Sequence, residues 1–172
     1  MYRLIGGVLI VMSTTGAGFL YGRELQRYLE NLLEIREILY LIKGEMEYSG
    51  MPLGEIFVRT ARKVKEPYRT WLRAMHRRMS RREDVSFRKI WNDGIDTYLE
   101  ELHLKKKHVI LLKELGMSLG QNDRKSEGKH FQLHLDRLEQ EIEIMREELA
   151  SKKRIGNCLG VMSGIFLVII LS

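Results

Sequence analysis

Two uncharged stretches, one at each end, constrain this chain more than any other feature. Residues 4–22 carry no charged side chain and neither do residues 155–172, while all but one of the 29 basic and 23 acidic residues lie between them. At about 1.5 Å of rise per residue, either stretch as a helix covers roughly the 30 Å hydrocarbon core of a bilayer. A continuous helix also satisfies its own backbone in lipid. The expectation is a hairpin: a transmembrane helix over 1–22, a polar body over 23–154 and a second transmembrane helix over 155–172.

The charges at the inner edges of the spans set the orientation. Arg23 and Arg27 follow the first stretch, and Lys152, Lys153 and Arg154 precede the second. By the positive-inside rule the body faces the cytosol. A signal peptide is the competing reading of the first stretch, with Arg3 as its basic region and small residues 13–18 as a cleavage site. The apolar run continues past them through Phe19, Leu20 and Tyr21, so an uncleaved anchor is expected.

The body is long enough for one domain with a true core. Leu, Glu, Lys, Arg, Ile and Met dominate it, and Pro52 and Pro67 are the chain's two prolines. These are helix formers, and no long run alternates apolar with polar residues, so an all-α fold is expected. The body holds 28 basic against 23 acidic residues. Because the signs are interspersed, this predicts a solvated surface with some attraction to anionic headgroups. No nucleic-acid-binding module is present. Cys158 is the single cysteine, so an intrachain disulfide is excluded.

Periodicity orders the body. Leu25, Tyr28, Leu32, Ile35, Leu39, Ile42 and Met46 form a heptad seam directly after the first span, widened by Leu29, Leu33, Tyr40 and Leu41. Phe131, Leu135, Leu138, Ile142, Met145 and Leu149 form a matching seam before the second. Each span is therefore expected to run into a long amphipathic helix, the two packing antiparallel in a bundle of about six helices. Shorter helices fill the interval. Pro52 opens one with Leu53, Ile56, Phe57, Ala61 and Val64; Pro67 opens another with Trp71, Leu72, Met75 and Met79. Asp84 or Ser86 caps a fourth helix with Phe87, Ile90, Trp91, Ile95 and Leu99, and a fifth runs from about Lys105 through Val109, Leu112, Leu115 and Leu119. Asp123 is the expected cap of the last long helix.

In the apolar ends Gly156, Gly160 and Gly164 recur every fourth residue, as do Gly18 and Gly22. Such spacing lets helix backbones approach closely in lipid, on each other or on partner spans, and is compatible with a homo-oligomer. A search for chemistry returns nothing: there is no phosphate-binding loop, no HExxH and no paired-cysteine site. Glu127, His130 and His134 share a helix face without a third strong ligand, so a solvated surface is expected there. His76, His103 and His108 sit among Lys and Arg and are also expected to be solvated. No catalytic residue, metal or cofactor is expected.

Four segments carry a resemblance. Thr14-Thr15-Gly16-Ala17-Gly18-Phe19 resembles a Thr-Thr-x-x-Gly-Phe signature. Glu45-Met46-Glu47-Tyr48, followed by Met51-Pro52-Leu53, is similar to Glu-Ile-x-Tyr-x-x-Thr-Pro-Leu, with Met46 and Met51 as departures. Leu115-Gly116-Met117-Ser118-Leu119-Gly120 with Asp123 resembles Leu-Gly-x-x-Leu-Gly-x-x-Asp, and Leu159-Gly160 through Leu171 resembles a closing apolar tail. The family is that of stage III sporulation protein AB in endospore-forming bacteria. The resemblance implies a helical-bundle domain like the inner-membrane platform protein of type II secretion and type IV pilus systems. It also implies a non-enzymatic role in the mother cell–forespore channel, in the outer forespore membrane, with a cytosolic secretion-type ATPase and other channel membrane proteins as partners. Arg77, Arg78, Arg81 and Arg82 are the candidate surface for such a partner. Two rival functions are a membrane-anchored signal-relay protein and a membrane-anchored nucleic-acid binder. The first needs a sensory region across the membrane. The second needs binding that survives high salt.

Overall fold

The computed structural model describes residues 2–81, 85–119 and 124–171, with side chains for 22–81, 85–119, 128–152 and 155. Every regular element among them is helical: α1 (Tyr2–Tyr48), α2 (Leu53–Ala61), α3 (Tyr68–Ser80), α4 (Phe87–Tyr98), α5 (Lys106–Ser118) and α6 (Arg124–Leu171), with one 3-10 turn at Glu100–Leu102. The six-helix expectation holds, and the first and last helices are 47 and 48 residues long. The chain divides into two compact units, residues 31–141 and the paired ends, Met1–Glu30 with Ile142–Ser172.

In the unit of paired ends the seam residues Leu25, Leu29, Ile142, Met145 and Leu149 are buried. Their outward neighbours make short-range contacts along each helix, Gln26 with Glu30 at 3.2 Å on α1 and Lys152 with Glu148 at 2.7 Å on α6. Among the described residues no helix is long and apolar enough to cross a membrane. The stretches expected to span fall outside the described side chains except at Gly22 and Ile155, as do Cys158 and the surroundings of Gly18, Gly156, Gly160 and Gly164.

In the unit 31–141 the helices α1 and α6 run antiparallel. Tyr40 Oη donates to Glu139 Oε1 at 3.0 Å, and a Cβ at Gly128 would stand 3.8 Å from Glu47, so numbering rises along one helix as it falls along the other. Leu32, Ile35, Leu39 and Ile42 face Phe131, Leu135 and Leu138 into one core, each at most 1 % exposed. Several positions depart from the expected seam. Ile38 is buried and belongs to it; Leu33, Leu41 and Met46 are half-buried, and Tyr40 lies at its edge, with its hydroxyl on Glu139.

Helix α1 stops where Gly50 takes a left-handed conformation, φ 63°, accessible to glycine without steric cost. Ser49 Oγ lies on the Glu45 carbonyl and accepts from Met51 N at 3.2 Å. It therefore braces the turn left without a threonine at Met51, but it does not cap α2, whose start at Pro52 has no side-chain cap. Ser86 caps α4 by accepting from Lys89 N at 3.4 Å; Asp84, the alternative, and Asp123, expected at the start of α6, lie outside the described residues. Several expected core positions shift. Val64 is buried just beyond the end of α2. Leu53, Phe87, Met79 and Val109 are only half-buried: Leu53 and Phe87 open their helices, Met79 lies near the C-terminal end of α3, and Val109 sits at the flank of the inner face of α5. The short helices stack in sequence: α2 on α3, α3 on α4, and α4 on α5.

Candidate functional site

The stack is centred on aromatic rings. Trp71 of α3 and Trp91 of α4 are fully buried, with ring centroids 5.0 Å apart at 59°. Phe57 and Phe87 lie 6.2 Å and 6.0 Å from Trp91. Offset and tilted pairs of this kind add about 1 kcal/mol each beyond area burial. Trp91 also reaches α5, where its Nε1–H donates to the Leu112 carbonyl at 2.8 Å. The ring then lies on the backbone of Gly116, where a Cβ would stand 2.0 Å from Trp91 Cδ1. Trp71 presses on Gly94 in the same way, its Nε1 being 3.0 Å from where a Cβ would be.

These contacts account for one motif. Gly116 leaves room for Trp91, and Leu115 and Leu119 are 1 % and 3 % exposed in the same core. Gly120 and Asp123 lie outside the described residues. The Glu45–Leu53 segment works differently. The largely buried Glu45 carboxylate receives Arg59 at 3.2 Å and Lys63 at 3.4 Å, tying α1 to the face and end of α2. Pro52 and half-buried Leu53 open α2. Tyr48 packs into no core and is 89 % exposed at the end of α1. Of the first motif, Thr14, Thr15, Gly18 and Phe19 lie on α1, and their side chains are outside those described.

Of the candidate arginines that are described, Arg78 points away from Arg77 and Arg81. Arg77 is exposed on α3, and Arg81 is exposed at its C-cap. Arg78 turns aside to Asp93 of α4, its Nη2 2.9 Å from Oδ2, and serves to join two helices. Arg82 lies outside the described residues. Sequence reasoning passed over Arg69 and Arg73, which precede Arg77 at intervals of four and share its helix face. That spacing was the available signal.

Among the described residues no group of His, Cys, Asp and Glu could hold a metal. His134 is half-buried on α6, and burial pushes its imidazole below the ordinary range. His130 is exposed, and the Glu127 side chain lies outside those described. Of His76, His103 and His108, only His103 is exposed; it takes a left-handed conformation after the 3-10 turn. His76 is half-buried, with Nδ1 3.0 Å from the Gly54 carbonyl. His108 is 1 % exposed on the inner face of α5, because the seam of α5 passes through it rather than through Val109. Its Nε2 lies 3.5 Å from Glu141 Oε2, which also receives Lys107 at 2.5 Å. Burial and the Lys107 charge hold this imidazole below its ordinary range against the opposing pull of Glu141. The Lys107 hydrogen bond in turn holds the Glu141 carboxyl low. This cluster is suited to binding α5 to α6, with neither a nucleophile nor an open face beside it.

Comparison with known proteins places this arrangement. The family model described as stage III sporulation protein AB matches residues 3–172. The stage III sporulation protein AB of Bacillus subtilis (strain 168) is 28 % identical over 171 residues, 99 % of each chain. A solved structure of stage III sporulation protein AB superimposes with a TM-score of 0.66 at 24 % identity, covering 72 % of this chain and 97 % of the other. That likeness carries the helical-bundle fold.

Proposed function

Since the chain belongs to the stage III sporulation protein AB family, with a sporulation-related role, we propose that it is a non-enzymatic membrane platform of the mother cell–forespore channel. In this reading the apolar ends at 4–22 and 155–172 are two membrane spans, and the unit 31–141 is a cytosolic docking body that couples a secretion-type ATPase to the membrane assembly. The observation that carries the reading is the placement of two uncharged, span-length sequences at the outer ends of α1 and α6. A bilayer is the environment in which such ends cost least. The aromatic stack and the ion pairs of Glu45, Asp93 and Glu141 are all structural, which suits a scaffold.

Reporter fusions at residue 90 and at the C-terminus test the topology. The expected result is a cytosolic reporter at 90 and an external one at the terminus. A cytosolic reporter at both positions rules out two full spans. Site-specific crosslinking in sporulating cells tests the coupling, with the ATPase as the expected adduct of body residues. Crosslinks to lipid alone remove the coupling role.

A further inference from the structure

We propose that the outer face of α3 is a docking surface for an acidic helical segment of a partner protein, read by a row of arginines at 69, 73, 77 and 81. The inference rests on the reading of this chain as a docking platform and adds the surface and the chemistry of its partner.

Helix α3 contains four arginines and one histidine, and no Asp or Glu. Its inner face is fixed by Tyr68, Trp71, Leu72, Ala74 and Met75, all buried. At 100° per residue, Arg69, Arg73 and Arg77 fall on the opposite side, and Arg81 continues the row at the C-cap. Arg73, Arg77 and Arg81 are exposed. Arg69 is half-buried and held in place, its Nε donating to the Val64 carbonyl at 3.0 Å. The row spans about 18 Å, three to four turns of a partner helix.

Elsewhere in this unit several basic side chains enter cross-element ion pairs. Arg59 and Lys63 meet Glu45, Lys65 meets Glu34, Arg78 meets Asp93 and Lys113 meets Asp96. Among the described residues Arg73 and Arg77 have no carboxylate within ion-pair distance. The acid beside the row, Glu66, accepts a hydrogen bond from Thr70 N at 3.0 Å. Hydrogen bonding from Thr70 holds its carboxyl low, helped by the charges of Arg69 and Arg73. Like charges four apart on a helix cost a few tenths of a kcal/mol per pair, so the row is a local expense that an incoming row of carboxylates removes.

The chemistry favours carboxylates on a helix. Every cation of the row is an arginine, whose planar fork binds carboxylate through two parallel hydrogen bonds. A surface that inserts into a bilayer needs exposed aromatic or aliphatic groups beside its cations; here Trp71 and Leu72 are fully buried. A single-stranded nucleic acid needs exposed rings for its bases to stack on, and this face of α3 has none.

The test uses the full chain in nanodiscs of zwitterionic lipid. The probe is a labelled alanine-based helical peptide with glutamate at every fourth position over three turns, followed by fluorescence anisotropy. The expected result is saturable binding that is weakened about tenfold or more by the double substitution Arg73→Glu with Arg77→Glu. Arg73→Lys with Arg77→Lys loses part of it. A control pair at exposed lysines, Lys106→Glu with Lys129→Glu, changes net charge equally and retains binding. The proposal is overturned if the parent chain does not bind the peptide, or if the control pair weakens binding as much as the arginine pair. It is also overturned if the row binds phosphatidylglycerol vesicles or an oligonucleotide more tightly than the peptide. Topology fusions and ATPase crosslinks that succeed while peptide binding fails remove the α3 surface and leave the platform reading standing.

Discussion

In the long helices α1 and α6 burial is repetitive; in the short helices α2 to α5 it is concentrated. Along the long helices one aliphatic side chain per turn enters the core, and Leu32, Leu39, Leu135 and Leu138 are interchangeable in kind. Among the short helices a few large rings, Phe57, Trp71 and Trp91, fill the centre, and the two tryptophans press on glycine backbone. Repetitive packing spreads its free energy over many similar contacts, each able to relax a little. Concentrated packing places it on one rigid contact set, where a single added methyl has nowhere to go.

The sharpest way to break this contrast is Gly116→Ala. Its methyl would stand 2.0 Å from an indole that is itself held to Leu112. The expected loss is about 4 kcal/mol, above the usual overpacking range because no small shift relieves the contact. Near-UV circular dichroism and denaturant unfolding would read it, and a loss below about 1 kcal/mol would show that the ring relaxes easily. Leu135→Ala in α6 is expected to cost about 3 kcal/mol, the ordinary price of a buried cavity. The two tryptophans then separate. Trp91→Phe is expected to cost about 2 kcal/mol, having lost a buried hydrogen bond as well as volume. Trp71→Phe should cost about half that, because the Trp71 Nε1 has no hydrogen-bond partner among the described residues.

The next effect is a slope. Burial lowers the folded-state pKa of His108 below its ordinary 6.5, so the unfolded chain takes up its proton first as pH falls. The stability this neutral imidazole contributes is complete above pH 6.5 and is lost as pH drops from there toward the folded value. His134 acts in the same direction. Thermal melts between pH 7.5 and 5.5 should fall with pH, and His108→Gln should flatten the fall; an unchanged slope would place the titration elsewhere. The smallest expected effect is that of Arg73→Glu with Arg77→Glu on folding, within about 0.5 kcal/mol, as befits exposed sites. A larger loss would mean that the row is structural rather than a docking surface.

The same contrast explains what was legible. The heptad seams predicted all six buried positions from Phe131 to Leu149, because a repeating aliphatic stripe encodes its own helix face. The turn at Ser49-Gly50 and the cap at Ser86 were also legible, since both act within four residues. His108 was misjudged because its charged sequence neighbours Lys105, Lys106 and Lys107 say nothing about which side of α5 faces α6. Arg78 was grouped with Arg77 for the same reason. Adjacent residues on a helix point 100° apart, and only the position of Asp93 on a neighbouring helix gives Arg78 its partner.

By itself, then, the sequence determined the helical class, the two long seams, the uncharged ends and the family, because each is written in local periodicity or in motifs read along the chain. The tertiary structure alone decided that Gly116 is a seat for Trp91, that His108 is buried against Glu141, and that Arg78 turns from Arg77 to Asp93. Those facts depend on which helices become neighbours, and neighbours far apart in sequence are chosen by packing.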